Sequence, residues 1–400
     1  MDGLTLLTGA TGALGSELLK RLVARGEKVV CLVRGKGGEP PEARMARVLP
    51  GAADGTVEVI AGDICKPWCG VPQEVISHFR GRVLRIVHAA ASISFWDEAE
   101  AESTNVRGVQ NILALAEALG VMEFHHIGTA YVCGAAREFS EADVPRPAVN
   151  PPRNVYEKTK QQGEELVRWW VTSQRGRRFS IYRPSILIGR QDGTTPTFDA
   201  YYGFFRPIHG IAEAMRTKAR AGGEMPNDVT VDKDGVVDIP LVISASPDAT
   251  LNLVPIDWVA DMMVELLTVP PANAVYHLVN PFPPLVRWVI AASLTHLGIR
   301  VGDTARLMVV GSGSEKTVAL AQQSPLVARL QRQLALVLDQ YSPYTSQGPA
   351  FHAENARAAL GERFVGFRTL DAAFLGALLS YALTANWGLP NGNGMGEKGK

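Results

Sequence analysis

Residues 4–23, LTLLTGATGALGSELLKRLV, constrain the fold more than any other stretch of this chain. An apolar run at 4–7 meets a glycine-rich turn in which Gly9, Gly12 and Gly15 stand three apart. A helical pattern follows at once, with Leu14, Leu18 and Leu22 on one face. A strand that turns tightly into a helix aims unpaired backbone N–H groups and the positive end of the helix dipole at one spot, which suits a pyrophosphate. Gly9 permits the turn, Gly12 lets the backbone approach the phosphates, and Gly15 lets the helix pack close on its strand. A glycine triplet alone is weak, but the strand before it and the helix after it are the context the motif requires. The opening segment predicts a dinucleotide-binding βα unit.

Alternating strand-like and helix-like patterns run through the first 185 residues, the signature of a parallel sheet covered by helices. KVVCLVR (28–34), TVEVIAG (56–62), VLRIVHAAA (83–91), FHHIGTA (124–130) and FSIYRPS (179–185) read as further strands. The run 105–119 carries Val106, Val109, Ile112, Leu113, Leu115 and Ala116 at near-helical spacing, and 155–173 reads as a long helix. Beyond Ile188 the texture changes to Gly, Pro and aromatics. LNLVPIDWVADMMVELL (251–267) then reads as a strand entering a helix, VYHLVN (275–280) as one more strand, and 285–383 as mainly helical. The expected architecture is α/β: a Rossmann-like doubly wound parallel sheet with a smaller, mainly helical C-terminal substrate domain. Its expected bounds are 1–190 for the nucleotide domain with 251–280 returning to it, 191–250 and 281–390 for the substrate part, and a disordered tail at 391–400.

The charge balance, 40 basic against 40 acidic residues, gives no reason to expect nucleic acid or an anionic membrane as a partner. No apolar stretch approaches the roughly 20 residues of a membrane span. The N-terminus lacks the basic-then-apolar pattern of a secretion signal, so cytoplasmic residence is the expectation. Cys31, Cys65, Cys69 and Cys133 form no disulfide framework, and neither they nor His125 and His126 complete a metal-ligand set.

Chemistry is concentrated in NVYEKTKQQGEELV, where Tyr156 and Lys160 stand four apart. On a helix that spacing places both side chains on one face, about 6 Å apart along the axis. An ammonium beside a phenol stabilises phenolate and lowers the tyrosine pKa from about 10. The phenol can then give a proton to a substrate oxygen as hydride arrives at carbon, while Lys160 holds the nicotinamide ribose. Thr129 stands at the carboxyl end of the fifth strand and can donate to the same oxygen. A threonine there can equally serve its own strand-end backbone. At the end of the second strand Val33-Arg34-Gly35 carries a guanidinium and no acid before Glu39. Arginine there favours a ribose 2′-phosphate, so NADPH is expected over NADH.

Together, TGATGALG, the HAAA stretch at 88–91, Thr129, Tyr156-x-x-x-Lys160 and YRPS at 182–185 resemble the extended short-chain dehydrogenase/reductase superfamily. Residues 88–113, HAAASISFWDEAEAESTNVRGVQNIL, and NLVPIDWVAD are similar to its branch of fatty acyl-CoA reductases and thioester reductase domains, the male-sterility-type branch. The resemblance implies that Gly9, Thr11, Gly12, Ala13, Leu14 and Gly15 form the phosphate loop, and that Asp63 and its neighbour Ile64 meet the adenine. It implies that Ala89, Ala90 and Ala91 line the nicotinamide side, that Asn105 stabilises the central helix and sheet, and that Pro184 and Ser185 approach the carboxamide. Phe95 and Tyr131 are candidate substrate residues beside this site. Without an adenylation or carrier segment upstream, the thioester is expected from a separate acyl carrier protein or from coenzyme A, and a homodimer is allowed.

The resulting expectation is an NAD(P)H-dependent reductase of a hydrophobic carbonyl compound, an acyl thioester first, with products at the aldehyde or alcohol level. A hydrophobic ketone or secondary alcohol is the alternative substrate, and a catalytically silent nucleotide-binding scaffold is the alternative outside enzymology. The stripe Tyr201, Phe204, Phe205, Ile208, Ile211 and Met215 is open to two readings, a core-facing helix face or a wall of an apolar substrate channel.

Overall fold

The computed structural model describes residues 3–51, 55–246, 248–270, 272–300, 307–308 and 324–389; the expected tail at 391–400 lies outside them. Seven parallel strands form the central sheet: β1 (Leu4–Thr8), β2 (Val29–Val33), β3 (Val57–Ala61), β4 (Val83–His88), β5 (Glu123–Ile127), β6 (Arg178–Pro184) and β7 (Ala274–Leu278). Their order is β3-β2-β1-β4-β5-β6-β7. The winding direction reverses between β1 and β4, which is where doubly wound sheets take ligands. Register places Thr8, His88 and His126 in one row across β1, β4 and β5.

The helices of this part are α1 (Ala13–Ala24), α2 (Pro41–Val48), α3 (Gln73–Phe79), α4 (Gly108–Leu119) and α5 (Val155–Thr172). Both faces of the sheet are covered, so β1 and β2 are buried at every position and read as unbroken apolar runs. On one face Leu14, Leu18 and Leu22 of α1 pack with Val259 and Met263 of the later helix Ile256–Leu266. On the other, Ile112 and Leu115 of α4 meet Val167 and Trp170 of α5 over Ile86 and Phe124. The helix expected at 105–119 starts earlier, at Glu98, and passes through a π-helical turn at Ser103–Arg107 before α4. Its first turn is acidic and shows no apolar period, and Asp97 caps it by accepting from the Glu100 N–H at 2.9 Å.

The described residues of 3–187, 253–281 and 349–367 make up one compact unit. The last of these segments carried no sequence motif; a buried carboxylate ties it down. Glu141 accepts from the backbone N–H groups of His277 (2.8 Å), Glu354 (2.8 Å) and Asn355 (2.7 Å).

The second unit takes the described residues of 188–252, 282–348 and 368–389. It contains α6 (Tyr201–Arg220), and, after α7 (Ile256–Leu266) of the first unit, α8 (Val286–His296), α9 (Pro325–Leu338) and α10 (Ala372–Thr384). Two-residue ladders pair Thr230–Val231 with Val237–Asp238 and Ile243–Ser244 with Leu307–Met308. Among the described residues no helix is long and apolar enough to cross a membrane.

Candidate active site

The turn from β1 into α1 is built around glycine. Gly9 has φ +71°, and a Cβ there would lie 2.6 Å from the Ala90 nitrogen. A Cβ on Gly15 would lie 2.1 Å from the Gly9 carbonyl oxygen, so the third glycine lets the helix close onto the turn itself. Gly12 N–H donates to Gly9 O (2.8 Å), and no side chain caps α1. The first-turn N–H groups of Ala13, Leu14 and Gly15 have no partner within the helix. Gly12 is exposed and Thr11 and Ala13 are half-buried, so this end of the helix faces outward.

Beside it, β4 ends at His88 and the chain runs on through Ala89, Ala90 and Ala91. Ala89 N–H and Ala90 N–H bond the Thr8 carbonyl and hydroxyl (3.3 and 3.2 Å), which holds this segment against β1. Asn105 secures its far end: the side chain accepts from Ser92 N–H (2.8 Å) and donates to Ser92 O and Thr159 Oγ1 (2.9 and 3.0 Å). The loop is thereby fixed to α5, the helix that carries Tyr156.

The entry of α5 is doubly capped. Asn154 accepts from Glu157 N–H (2.9 Å), and the Glu157 carboxylate reaches back to Arg153 N–H (2.8 Å) while pairing with the Arg153 guanidinium. This fixes Tyr156 in the first turn and Lys160 one turn on. The Tyr156 phenol stands close enough to the Thr129 side chain to be influenced by it. Thr129 Oγ1 also serves its own backbone surroundings, accepting from Tyr131 N–H (3.3 Å) and donating to Pro184 O (3.4 Å). Lys160 Nζ donates to the Ile127 carbonyl at 2.6 Å and is buried.

The charge relations differ from expectation. Burial pushes the Tyr156 phenol up to about 12, and the neighbouring Thr129 side chain offsets only part of this. Burial also pulls the Lys160 ammonium down to about 8, against the attraction of Glu164. In the protein alone, then, desolvation outweighs the ammonium–phenol coupling that helix spacing suggests.

Phe95 stands edge-on to Tyr156 with ring centroids 6.0 Å apart. Tyr131 is buried under the Arg153 guanidinium (5.5 Å) and edge-on to Phe351 (5.6 Å). Asp63 is half-buried, with its carboxylate accepting from Cys65 N–H (3.0 Å), and Ile64 is buried beside it. Pro184 ends β6, and Ser185 follows with a buried hydroxyl that has no partner among the described residues. Arg34 is exposed.

One basic residue escaped the sequence reading. Arg44, on α2, donates to the Arg34 carbonyl (2.6 Å) and to Thr11 Oγ1 (2.7 Å), joining the end of β2 to the turn between β1 and α1. Its helix is short and polar, so apolar periodicity does not reveal it; the only signal was a second arginine soon after Arg34.

Tyr201, Phe204 and Phe205 belong to the second unit. There they are buried in an aromatic cluster, Tyr201 bonding Ser293 Oγ through its hydroxyl (2.8 Å) and Phe204 meeting Tyr341 edge-on (5.8 Å).

Residues 7–263 match the family model described as male sterility protein. The chain belongs to the male sterility protein family. That family lies in the extended short-chain dehydrogenase/reductase superfamily of NAD(P)-dependent oxidoreductases. Among curated relatives, the NRPS-like oxidoreductase fscA of Fusarium equiseti is 30% identical over 228 residues, covering 54% of this chain and 21% of that protein. Fatty acyl-CoA reductase 1 of Gallus gallus is 28% identical over 277 residues, covering 57% of this chain and 52% of that protein. The chain thus spans about half or less of the curated relatives it matches. Among solved structures, the terminal R domain from the myxalamid PKS-NRPS biosynthetic pathway superposes with a TM-score of 0.74 at 23% identity, over 96% of this chain and 91% of that one. This last likeness establishes the shared fold.

Proposed function

We propose that this protein is an NADPH-dependent reductase of apolar acyl thioesters, yielding the aldehyde, with Tyr156 as proton donor. The observation that carries the reading is the juxtaposition of Thr129 and Tyr156, set at the carboxyl ends of β5 and β6 one helical turn from a buried Lys160. Relatives named as an NRPS-like oxidoreductase and a fatty acyl-CoA reductase support a thioester as substrate.

The residues present fit a nicotinamide dinucleotide. The turn at Gly9 and Gly15 is a cradle that side chains would fill, and the unpartnered Ser185 hydroxyl suits a carboxamide. Gly9, Thr11, Gly12, Ala13, Leu14 and Gly15 would hold the pyrophosphate, Asp63 and Ile64 the adenine, and Lys160 the nicotinamide ribose. Arg34 and Arg44 would hold a 2′-phosphate, with the nearest following acid, Glu39, already paired to Arg47 at 2.6 Å. When bound, the nucleotide supplies a hydride to the thioester carbon.

The chain's own groups complete the reaction. Thr129 and Tyr156 hydrogen-bond the thioester oxygen, where negative charge develops as the carbonyl becomes tetrahedral. Tyr156 Oη gives its proton to that oxygen, so a neutral hemithioacetal forms. Breaking its carbon–sulfur bond returns the hydroxyl proton to the Tyr156 phenolate, the sulfur leaves as thiolate and takes a proton from solvent to become thiol, and the aldehyde remains. A phenol held near 12 stays protonated through the neutral range and so carries the proton the oxygen needs.

The test incubates the purified protein with NADPH and a panel of acyl-coenzyme A esters, acyl carrier-protein thioesters and hydrophobic ketones, following nicotinamide absorbance, free thiol and aldehyde. Thiol and aldehyde released in step with NADPH loss are the expected result. Turnover of ketones alone overturns the thioester assignment, and no turnover of any class overturns the enzyme reading.

A further inference from the structure

Two histidines in the sheet beneath Lys160 have no role in the reaction as described. His88 ends β4 and His126 is its register partner on β5; the rings stack 5.8 Å apart at 24°. Both side chains are buried. His88 Nδ1 bonds Thr8 Oγ1 at 2.8 Å, but His88 Nε2 and both ring nitrogens of His126 have no hydrogen-bond partner among the described residues. The adjacent His125 shows the contrast: alternation along the strand turns it to the other face, where Tyr182 (3.0 Å) and Glu123 (2.6 Å) satisfy both its nitrogens.

Helix α5 packs over these rings. Gly163 lies over His126, and a Cβ on Gly163 would be 3.9 Å from His126 Cε1 and 2.8 Å from Asn105 O. Lys160 is three residues earlier on the same helix, and its ammonium bonds the carbonyl of Ile127, the residue after His126. An ammonium has three N–H donors, of which this accounts for one. Buried polar atoms are rarely left unpaired, and an internal water typically takes two to four such partners.

We propose that His88 and His126 hold an internal water against the Lys160 ammonium, and that both act as positioning residues that keep this lysine charged. A neutral imidazole offers one N–H and one lone pair, so a water between the rings can accept from one nitrogen, donate to another and accept from Nζ. The groups facing Lys160 are few. On α5 they are Tyr156 and Glu164, whose carboxylate is shared with Arg168 and Arg183; on β4 and β5 they are His88 and His126. Burial holds His88 down to about 3 and His126 well below its ordinary value, so both are neutral acceptors at working pH and compete for no charge. Losing the polar lining would leave the ammonium with one acceptor and ease its deprotonation.

The inference rests on Lys160 as the partner of Tyr156, but its readouts use the protein without nucleotide, so its failure is separable from failure of the reductase reading. A high-resolution crystal structure of the wild-type protein should show a water within hydrogen-bonding reach of His126 and Lys160 Nζ. Titration of lysine ¹³Cε resonances, with Lys160 assigned by its loss in Lys160→Arg, should place its midpoint lower in His126→Leu by about one pH unit, tenfold in the protonation constant. His126→Gln, which keeps a polar side chain, should recover much of that shift. Ring nitrogens with no water beside them overturn the proposal, as does an unmoved Lys160 midpoint in a His126→Leu protein that melts like wild type. If His126→Leu does not fold, the wild-type structure and the same titration on His88→Gln and His126→Gln decide it, a dry site overturning it.

Discussion

Tyr156 and Lys160 oppose each other in their response to burial, and this sets the pH behaviour. Tyr156 is a weaker acid than free tyrosine and Lys160 a stronger one, because desolvation disfavours the charged form of each. The phenol therefore keeps its proton across the working range, and Lys160 is the group that titrates. Its pKa is depressed, so it is charged below about 8 and neutral above. If charged Lys160 is required, kcat/KM measured against pH should fall as pH rises through about 8, and a profile flat from pH 7 to well above that value, on the order of pH 10, would dismiss the requirement. Tyr156→Phe should lower turnover by about 10² to 10⁴ while nucleotide binding, followed by fluorescence, persists. For cofactor choice, Arg34→Ala and Arg44→Ala should each weaken NADPH and leave NADH little changed, seen in the ratio of kcat/KM for the two. Arg44→Ala should also loosen the phosphate loop, because its guanidinium bonds Thr11.

At the scale of elements, the βα turn and the long aromatic helix make contrasting predictions. Gly15→Ala forces a methyl to 2.1 Å from a backbone oxygen that cannot swing away, whereas the nearest atom to a Gly12 methyl is 3.2 Å off. Gly15→Ala should therefore destabilise the fold by about 1–3 kcal/mol and abolish nucleotide binding, while Gly12→Ala should affect binding more than melting temperature. On α6, Phe204 lies among Phe205 and Tyr341. Phe204→Asp places an unpaired charge in that cluster and should lower thermal stability by about 3 kcal/mol or more, with activity lost equally for short and long acyl chains. A loss that grows with chain length at an unchanged melting temperature would mark this face as a channel wall.

Across the whole molecule, the residues proposed to hold the nucleotide all lie within one of two compact units, so ligand linkage should be uneven. NADPH at about 100 times its Kd should stabilise the first unit by about 2.7 kcal/mol, shifting its calorimetric transition upward. Equal shifts at every transition would instead show the units unfolding as one. What the sequence determined is local in origin. The strand–glycine–helix opening, the buried strand runs and the Tyr156/Lys160 spacing follow from periodicity and from the conformations glycine allows, which act over a few residues. Those patterns point to a doubly wound parallel sheet and to the strands that compose it, and they mark the glycine turn between β1 and α1, while the order of the strands comes from the folded chain. Other features arise only when distant segments meet. The helix start at Glu98 lacks an apolar period, Arg44 reaches Thr11 only because β1 and β2 are neighbours, and 349–367 joins the sheet through the Glu141 carboxylate. The acidities of Tyr156 and Lys160 belong to this second group. Spacing can bring two side chains to one helix face, but desolvation is set by everything packed around them, and that is a property of the folded chain alone.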